Sequence, residues 1–429
     1  MAIKGSVIVG CGGVQTSITR EEARVMLEEA LAAWGDAPRK VLVLPPDATR
    51  LHSGAGELTV LLYEMIGGRC QFDIMPALGT HAPMRPNELE MMFPGIPHER
   101  FLVHNWRADT VRLGEVPAEY VEDLSEGRLS CAIDVEVNRR LAQGGYDLVL
   151  SIGQVVPHEV IGMANQNKNL LVGIGGADFV NKTHFLGAVH GMERIMGRID
   201  TPVRRVLDYA ESGFLAELPI KYILTVKGGD EAGRLHLRGL YLGEGKAPYF
   251  EAARLSQRVN LDLLAAPIKK ALVNLDPREY KSTWLGNKAI YRTRMAMADA
   301  GELIVYAPGV KAFGEDAGHD ELIRRHGYHG TPHTLGLVER EETLRRNLSV
   351  AAHLIHGSSE GRFKVTYAAG GLTREEVEGA GFIHATPDRI RRQYQPEKLK
   401  RGLNDVGGEE VFYIENPSLG LWALARDFD

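Results

Sequence analysis

The 429-residue chain contains little cysteine, no long apolar run and no low-complexity tract. Its cysteines, Cys11, Cys70 and Cys131, are widely spaced and form no CxxC pair, which argues against a disulfide framework or a zinc knuckle. No apolar run approaches the roughly 20 residues that span a bilayer. The apolar N-terminal strand SVIVGCG is too short for the core of a signal peptide. We therefore expect a cytoplasmic protein with no membrane partner.

The chain also lacks a basic stripe, and its net charge is −6, so nucleic acid is not expected as a partner. With 44% apolar and 25% charged residues it can bury a full core, and its length favours two domains. Short apolar strands alternate with helical patterns through the first half. This alternation predicts an α/β fold with an open, mostly parallel sheet and helices on both faces.

Three segments are predicted: an N-terminal α/β cofactor-binding and catalytic domain, a smaller α/β substrate-side domain, and a tail that returns to the first domain, over residues 1–262, 263–405 and 406–429. The active site is expected in the cleft between the two domains. Helices are predicted over residues 134–143 and 261–273, and Thr373 with Glu376 has capping-box spacing. The oligomeric state is left open, with a homo-oligomer among the alternatives.

Polar side chains follow three of the apolar strands. The strand over residues 40–44 precedes Asp47, Thr49 and Arg50, and the strand over residues 72–78 precedes His81. The third, over residues 148–152, is followed by a loop with one histidine, a lysine and a second histidine. Ligands bind outside the carboxyl ends of such strands. One shared site is therefore predicted from Asp47, Thr49, Arg50, His81, His158, Lys168 and His184.

These motifs resemble those of the nickel-pincer-nucleotide lactate racemase family, which comprises 2-hydroxyacid racemases and epimerases. The resemblance rests on Asp47-x-Thr49-Arg50, on Gly79-Thr80-His81, and on Pro157-His158 followed by Gly162, Lys168, Gly173 and His184. It implies an isomerase that inverts C2 of a small 2-hydroxyacid by moving a hydride to and from the cofactor. Histidine suits the accompanying proton transfer, and each face of the carbon needs its own base.

The resemblance also implies a role for each matching residue. His81 and His158 correspond to the alternating general acid and base, Lys168 to the lysine joined to the nickel-pincer nucleotide, and His184 to the protein ligand of nickel. Asp47 and Arg50 correspond to the family's aspartate and arginine near substrate and cofactor, which implies that both are catalytic residues. Further cofactor contacts are expected from Thr49, and from Gly175 and Gly176 through backbone amides near the phosphate.

The chain departs from the family in two places. Residues 162–168 replace a GYSGGRK-like run before the tether lysine, which leaves a bound but untethered cofactor open. A Tyr-Gln-x-x-Lys pattern corresponds to residues 291–295, where two arginines stand and the lysine is missing. This change predicts a sugar acid such as D-mannonate or D-gluconate, contacted by Tyr291, Arg292, Arg294 and Trp284.

Two other functions remain open from the residues alone. One is a zinc- or manganese-dependent hydrolase or lyase in which His81, His158, His184 and Asp47 bind one ion. The other is a non-catalytic sugar-acid sensor that has kept the site and lost the chemistry. Metal content separates the first from a nickel enzyme, and turnover separates both enzymes from the sensor.

Overall fold

The computed structural model describes residues 5–35, 38–230 and 233–428. The chain forms two compact units, which we call unit 1 (Met1–Thr183 and Ile195–Asn260) and unit 2 (His184–Arg194 and Leu261–Asp429). The change after Asn260 lies two residues from the predicted boundary. The segment His184–Arg194 was not anticipated as part of the second unit. Both units are α/β with parallel-rich sheets and helices on both sides, which confirms the predicted fold class.

Unit 1 contains ten strands among its described residues. They are β1 (Val7–Gly12), β2 (Lys40–Leu44), β3 (Gln71–Ile74), β4 (Thr110–Val116), β5 (Ile133–Asn138), β6 (Leu148–Gln154), β7 (Pro157–His158), β8 (Gly162–Met163), β9 (Ile220–Gly229) and β10 (Leu235–Gly243). Its main sheet has the order β1-β10-β9-β6-β2-β3. The pairs from β9 to β3 are parallel, and those among β1, β10 and β9 are antiparallel.

The helices that begin in unit 1 are α1 (Arg20–Ala33), α2 (Ala55–Ile66), α3 (Pro86–Met92), α4 (Ala118–Leu124), α5 (Arg139–Gln143), α6 (Ala177–His190), α7 (Pro202–Phe214) and α8 (Ala247–Asn260). Helix α6 continues into unit 2 from His184. Across the described residues, no helix is long and apolar enough to cross a membrane.

The core of unit 1 places the ends of its parallel strands. Every residue of β6 is buried, as is typical of a central strand covered on both faces. In β2, Val41 and Val43 share a core with Leu27 of α1 and Leu61 of α2. A capping box between Thr19 and Glu22 starts α1. The carboxyl ends of β2 and β6 are thus held by packing on both sides.

Unit 2 contains a second six-stranded sheet. The strands of this unit are β11 (Leu261–Leu264), β12 (Ile268–Asn274), β13 (Met297–Ala307), β14 (Lys364–Ala369), β15 (Ile383–His384), β16 (Gly402–Val406), β17 (Glu409–Ile414) and β18 (Leu421–Leu424). The sheet has the order β15-β14-β13-β12-β17-β16 and is parallel except for β16. Strands β11 and β18 form a separate parallel pair.

The helices of unit 2 after residue 260 are short. They are α9 (Thr283–Gly286), α10 (Lys288–Tyr291), α11 (Ala317–His326), α12 (Thr331–Arg340), α13 (Glu342–Arg345), α14 (Leu348–His356), α15 (Arg374–Gly379) and α16 (Pro387–Tyr394). The predicted capping box between Thr373 and Glu376 is confirmed at the start of α15.

Two predicted helices are wrong. Residues 134–143 form β5 followed by the short helix α5, because Ile133, Val135 and Val137 alternate on one buried face with period two. Residues 261–273 form β11 and most of β12, and Pro267 lies between them. Apolar β-branched side chains in a short run fit a strand as well as a helix, and sheet pairing decides between them.

The predicted return of the tail to the first domain is also wrong. Residues 406–429 belong to unit 2, where β17 lies inside the sheet and pairs with β12. Strand β18 pairs in parallel with β11 at the start of the same unit. The tail therefore extends the sheet of unit 2 by pairing with β12.

Candidate active site

Asp47 and His81 form a hydrogen-bonded pair at the carboxyl ends of β2 and β3. Asp47 is buried and caps the 3₁₀ turn Ala48–Ser53. Its Oδ1 accepts from the Thr49 amide at 3.1 Å and from the Thr49 hydroxyl at 2.5 Å. Its Oδ2 lies 2.5 Å from Nδ1 of His81. A proton on Nδ1 leaves Nε2 of His81 to act as a base.

A glycine turn sets the position of His81. Gly79 has φ +59°, in the left-handed region that glycine adopts without strain. Its amide donates to the Gly173 carbonyl at 2.8 Å, and the His81 amide donates to the Leu78 carbonyl at 3.0 Å. The loop Gly79–His81 is therefore hydrogen-bonded to the turn that follows Lys168.

Asp47 provides a fixed negative charge. Burial raises its pKa, but the hydrogen bonds from His81 and Thr49 and the charge of Arg50 outweigh burial, and the net pKa is lowered. Asp47 thus stays ionised throughout the range in which a histidine titrates. Its carboxylate orients His81 and stabilises the protonated imidazole.

His158 lies in the two-residue strand β7, which pairs with β8. Its Nδ1 accepts from the Val160 amide at 3.1 Å. Because a neutral imidazole carries one proton, this contact puts the proton of neutral His158 on Nε2. The carboxylate of Glu159 lies 3.8 Å from Nδ1 and faces that nitrogen when the ring is protonated.

Lys168 contacts the other side of the same imidazole. Its Nζ lies 3.0 Å from Nε2 of His158. Burial, followed by the charge of Arg50, lowers the pKa of Lys168 to about 8. Since Nε2 of neutral His158 carries the proton, the contact is satisfied when the lysine amine is neutral and accepts it. A neutral amine is the nucleophilic form of lysine.

The two pairs belong to one site within unit 1. The charge of Arg50 lowers the pKa of Lys168, and that of Asp47 raises it. Arg50 in turn donates to the carbonyl and hydroxyl of Thr49 at 3.3 and 3.2 Å. The structure therefore brings together six predicted residues, namely Asp47, Thr49, Arg50, His81, His158 and Lys168.

Residues 14–196 match a family model described as the lactate racemase N-terminal domain. This finding supports the assignment of this segment to the lactate racemase family. The six residues of the site in unit 1 lie inside the matched segment, as does His184. No curated protein matches the chain.

Two solved structures share the fold over nearly the whole chain. A structural genomics target from Thermotoga maritima has a TM-score of 0.81 at 24% identity, covering 96% of this chain and 100% of that one. The lactate racemase apoprotein from Thermoanaerobacterium thermosaccharolyticum has a TM-score of 0.71 at 15% identity, covering 95% and 93%. At these identities the likeness establishes the fold. The domain match supports a racemase or epimerase, an isomerase by class.

Asn169 is a residue of the lactate racemase-like domain that the sequence analysis missed. It opens a π-helical turn, Asn169–Gly173, directly after Lys168. Its Nδ2 donates to the carbonyls of Leu44 and Ile152 at 3.2 and 3.1 Å. This amide joins the ends of β2 and β6, so Lys168 is fixed at the carboxyl edge of the sheet. The polar run NQNKN before an apolar stretch was the available signal.

Gly175 and Gly176 pack closely against the chain. A Cβ on Gly175 would lie 1.9 Å from the Leu171 carbonyl oxygen, and one on Gly176 would lie 2.1 Å from Glu136 Oε2. The Gly176 amide donates to the Glu136 carbonyl at 3.2 Å. Close packing explains both glycines without a ligand, and their phosphate contact stays a prediction.

His184 lies on α6, at the first residue of the segment that belongs to unit 2. Its role as a nickel ligand stays a prediction. The described ranges contain no group of three or more His, Cys, Asp or Glu side chains arranged to hold a metal. In unit 1, Asp47 faces His81 and His158 faces Lys168. These contacts argue against the four-ligand zinc or manganese site, whereas a metal that arrives within a cofactor needs fewer protein donors.

The predicted substrate residues of unit 2 are mostly internal. Tyr291, Arg292 and Arg294 are buried. Arg294 forms an ion pair with Glu193 at 2.7 Å and also donates to the Ser358 carbonyl at 3.1 Å. These contacts explain Arg294 without a substrate, and they lend its predicted role no support.

Trp284 has a different environment. It is partly exposed and lies between two imidazoles, with ring centroids 4.8 Å from His319 and 4.3 Å from His353. Nε2 of His353 lies 3.0 Å from the Tyr328 hydroxyl. The sequence does not place the two imidazoles beside Trp284, because His319 and His353 come from separate helices of unit 2.

Proposed function

We propose that the protein is a 2-hydroxyacid racemase or epimerase that inverts C2 with a nickel-pincer nucleotide. The observation that carries this proposal is the arrangement of two histidines in one site, with His81 paired to Asp47 and His158 paired to Lys168. Two histidines with separate partners are the proton-transfer groups that inversion requires. The match to the lactate racemase N-terminal domain supports the same reaction class.

The residues present fit the cofactor. Lys168 offers a partly buried amine with a pKa of about 8, which can be acylated near neutral pH. It would hold the cofactor covalently, Arg50 would bind phosphate or carboxylate, and His184 would bind nickel through imidazole. When bound, the cofactor supplies a hydride acceptor and donor.

The protein itself moves the hydroxyl proton. His81, oriented by Asp47, takes the proton at Nε2, and the charge on Asp47 stabilises the resulting imidazolium. His158 serves the opposite face. Acylation of Lys168 ends its role as acceptor for His158 and leaves Nε2 of that ring for the substrate. His158 would then keep a proton on Nδ1, which faces the carboxylate of Glu159, so that Nε2 gives a proton to the substrate oxygen as an acid and takes one as a base.

The substrate we propose is a 2-hydroxyacid, with D-mannonate and D-gluconate ahead of lactate. The preference comes from the sequence at Arg292 and Arg294, and the contacts of these two side chains do not strengthen it. Arg50 is the cation of unit 1 placed to bind the carboxylate that all these acids share. Comparison of D-lactate with D-mannonate therefore decides the substrate class.

The test uses protein from a host that makes the cofactor. We expect about one nickel per chain, and His184→Ala should remove it because loss of one ligand weakens the metal site. His98→Ala is the matched control, since this histidine is about half exposed and forms its ion pair with Glu90, which lies outside the site. Metal analysis, intact mass and epimerisation of both acids are measured on each protein.

Stoichiometric zinc without nickel would contradict the proposal and favour the metal-dependent hydrolase. A nickel-loaded protein that binds an acid but epimerises none would instead indicate the sensor. Efficient racemisation of lactate with no action on mannonate would contradict the sugar-acid substrate alone.

A further inference from the structure

Two residues shortly before Lys168 adopt an unusual backbone. Asn165 and Gln166 have φ values of +70° and +62°, two consecutive left-handed residues that are not glycine. Such conformations are disfavoured for residues with a side chain and persist only when neighbouring groups hold them. Residues 165–167 are buried, so bulk solvent does not support this turn. The holding groups must come from elsewhere in unit 1.

Arg204 of α7 provides most of them. Its side chain is 2% exposed and lies under the turn. Its guanidinium donates to the Met163 carbonyl at 2.6 Å, to Gln166 Oε1 at 3.0 Å and to Asn167 Oδ1 at 2.5 Å. Both terminal nitrogens also reach the Asn165 carbonyl at 3.3 Å. A planar fork with several donors can satisfy these acceptors together, and a lysine ammonium cannot.

Two carboxylates of α7 hold the amide nitrogens of the turn. Asn167 Nδ2 donates to Asp208 at 3.0 Å and to Glu211 at 2.9 Å. Gln166 Nε2 donates to Glu211 at 3.2 Å. The ring of Tyr249 lies 4.1 Å from the Arg204 guanidinium and closes the other side. The amide side chains of Gln166 and Asn167 therefore each have their oxygen on Arg204 and their nitrogen on a carboxylate.

We infer that Arg204 is the positioning residue for Lys168: it holds the left-handed turn that directs the lysine amine at His158. The inference rests on the proposed function, in which Lys168 carries the cofactor, and it adds how that amine is placed. Aligned from Gly162 to Lys168, the GYSGGRK-like run has glycine at positions 165 and 166. Glycine adopts these φ values unaided. In this chain Asn165 and Gln166 need Arg204 instead.

The charge of Arg204 also favours the neutral amine, because it lowers the pKa of Lys168. Burial is the largest cause of the lowered pKa of Lys168, and Arg50 and Arg204 add to it, while Glu159 and Asp47 oppose it. A lysine released from the turn into water would regain an ordinary pKa. Its neutral fraction at pH 8 would then fall from about one half to below about 1%.

The test measures trinitrophenylation of Lys168, in which the neutral amine displaces sulfite from the reagent, in the cofactor-free, full-length protein. Trinitrobenzenesulfonate at pH 8 is the probe, and peptide masses give the rate at Lys168 relative to the other lysines. Arg204→Lys keeps the charge without the fork, and Arg204→Gln removes both. We expect each to slow labelling of Lys168 at least 10-fold. The loss in Arg204→Lys is the readout that separates position from charge.

Arg205→Gln is the matched control. It removes the same charge one residue along α7, where Arg205 is half exposed and pairs with Asp200, and it should leave the rate at Lys168 unchanged. Replacing Asn165 and Gln166 with glycine in the Arg204→Lys background should restore most of the rate. Thermal unfolding of each variant is measured alongside.

Wild-type labelling of Lys168 in both Arg204 variants would overturn the inference and leave Arg204 a purely structural residue. Should neither variant fold, Asn167→Ala decides, since it removes one acceptor and two donors of the turn. Slower labelling in that variant supports the inference, and an unchanged rate refutes it. None of these measurements requires cofactor or substrate, so their outcome is independent of the proposed reaction.

Discussion

The contact between Asp47 and His81 shows what single residues contribute to this site. Asp47 was predicted from its place after a strand, and His81 from the Gly79-Thr80-His81 motif. Their pairing follows from parallel β2 and β3, whose ends lie side by side. Arg204 had no such signal. It lies 36 residues beyond Lys168, and only the folding of α7 against the turn brings the two together.

Removal of either histidine should reduce epimerisation on the order of 10²-fold or more, the usual scale for a positioned general acid or base. His81→Ala and His158→Ala should slow both directions, because each direction uses both residues. Asp47→Asn should also slow the reaction, since an amide can present its NH₂ to Nδ1 and favour the wrong tautomer of His81. The rates are measured from each epimer, with His98→Ala as the control.

The pH profile checks the same assignment. The pKa of Asp47 is lowered, so this carboxylate stays charged as pH falls through the histidine range. A fall in rate on the acid side, measured between about pH 5 and 8, should therefore not come from protonation of Asp47. A variant of either histidine that keeps near-normal turnover in both directions would show that residue to be structural.

At the scale of elements, the hairpin of β7 and β8 holds His158. Gly162 has φ +92°, and a Cβ there would lie 2.2 Å from the Arg198 carbonyl oxygen. Gly162→Ala should lower the free energy of unfolding by about 3 kcal/mol, since a clash adds to the backbone strain. Urea unfolding measures this loss.

Gly127→Ala is the control for strain without a clash. Gly127 has φ +77°, and no atom lies within 4 Å of the place that a Cβ would take. Gly127→Ala should therefore lower the free energy of unfolding by about 1–2 kcal/mol. Equal losses at Gly127 and Gly162 would contradict the close packing described for the hairpin.

Two strands show how far local sequence patterns predict secondary structure. Strand β2 was predicted at its observed bounds, because KVLVL has no polar interruption and is followed by two prolines. Strand β5 was predicted as a helix. The sequence IDVEVN alternates over too few residues to compete with the helical pattern that follows it. Its pairing with β4 and the buried face of three apolar residues became visible only in the fold.

At the scale of the whole molecule, the α/β class and two-unit division were predictable from length and alternation. The order of the unit 2 sheet was not, because parallel pairing of β12 with β17 joins residues far apart in sequence. The same holds for His184–Arg194, which belongs to unit 2 although the surrounding chain belongs to unit 1. Local patterns carry no information about such distant pairings.

The central claim is inversion at C2 by hydride transfer, and a substrate deuterated at C2 tests it most directly. Cofactor-loaded protein is incubated in ordinary water with C2-deuterated D-mannonate and, separately, with C2-deuterated D-lactate. The C2 isomers are then separated, and their deuterium content is measured by mass spectrometry. We expect epimerised product that keeps most of its deuterium, because the hydride leaves and returns within the site. Epimerised product in which hydrogen from water has replaced the deuterium would contradict the claim.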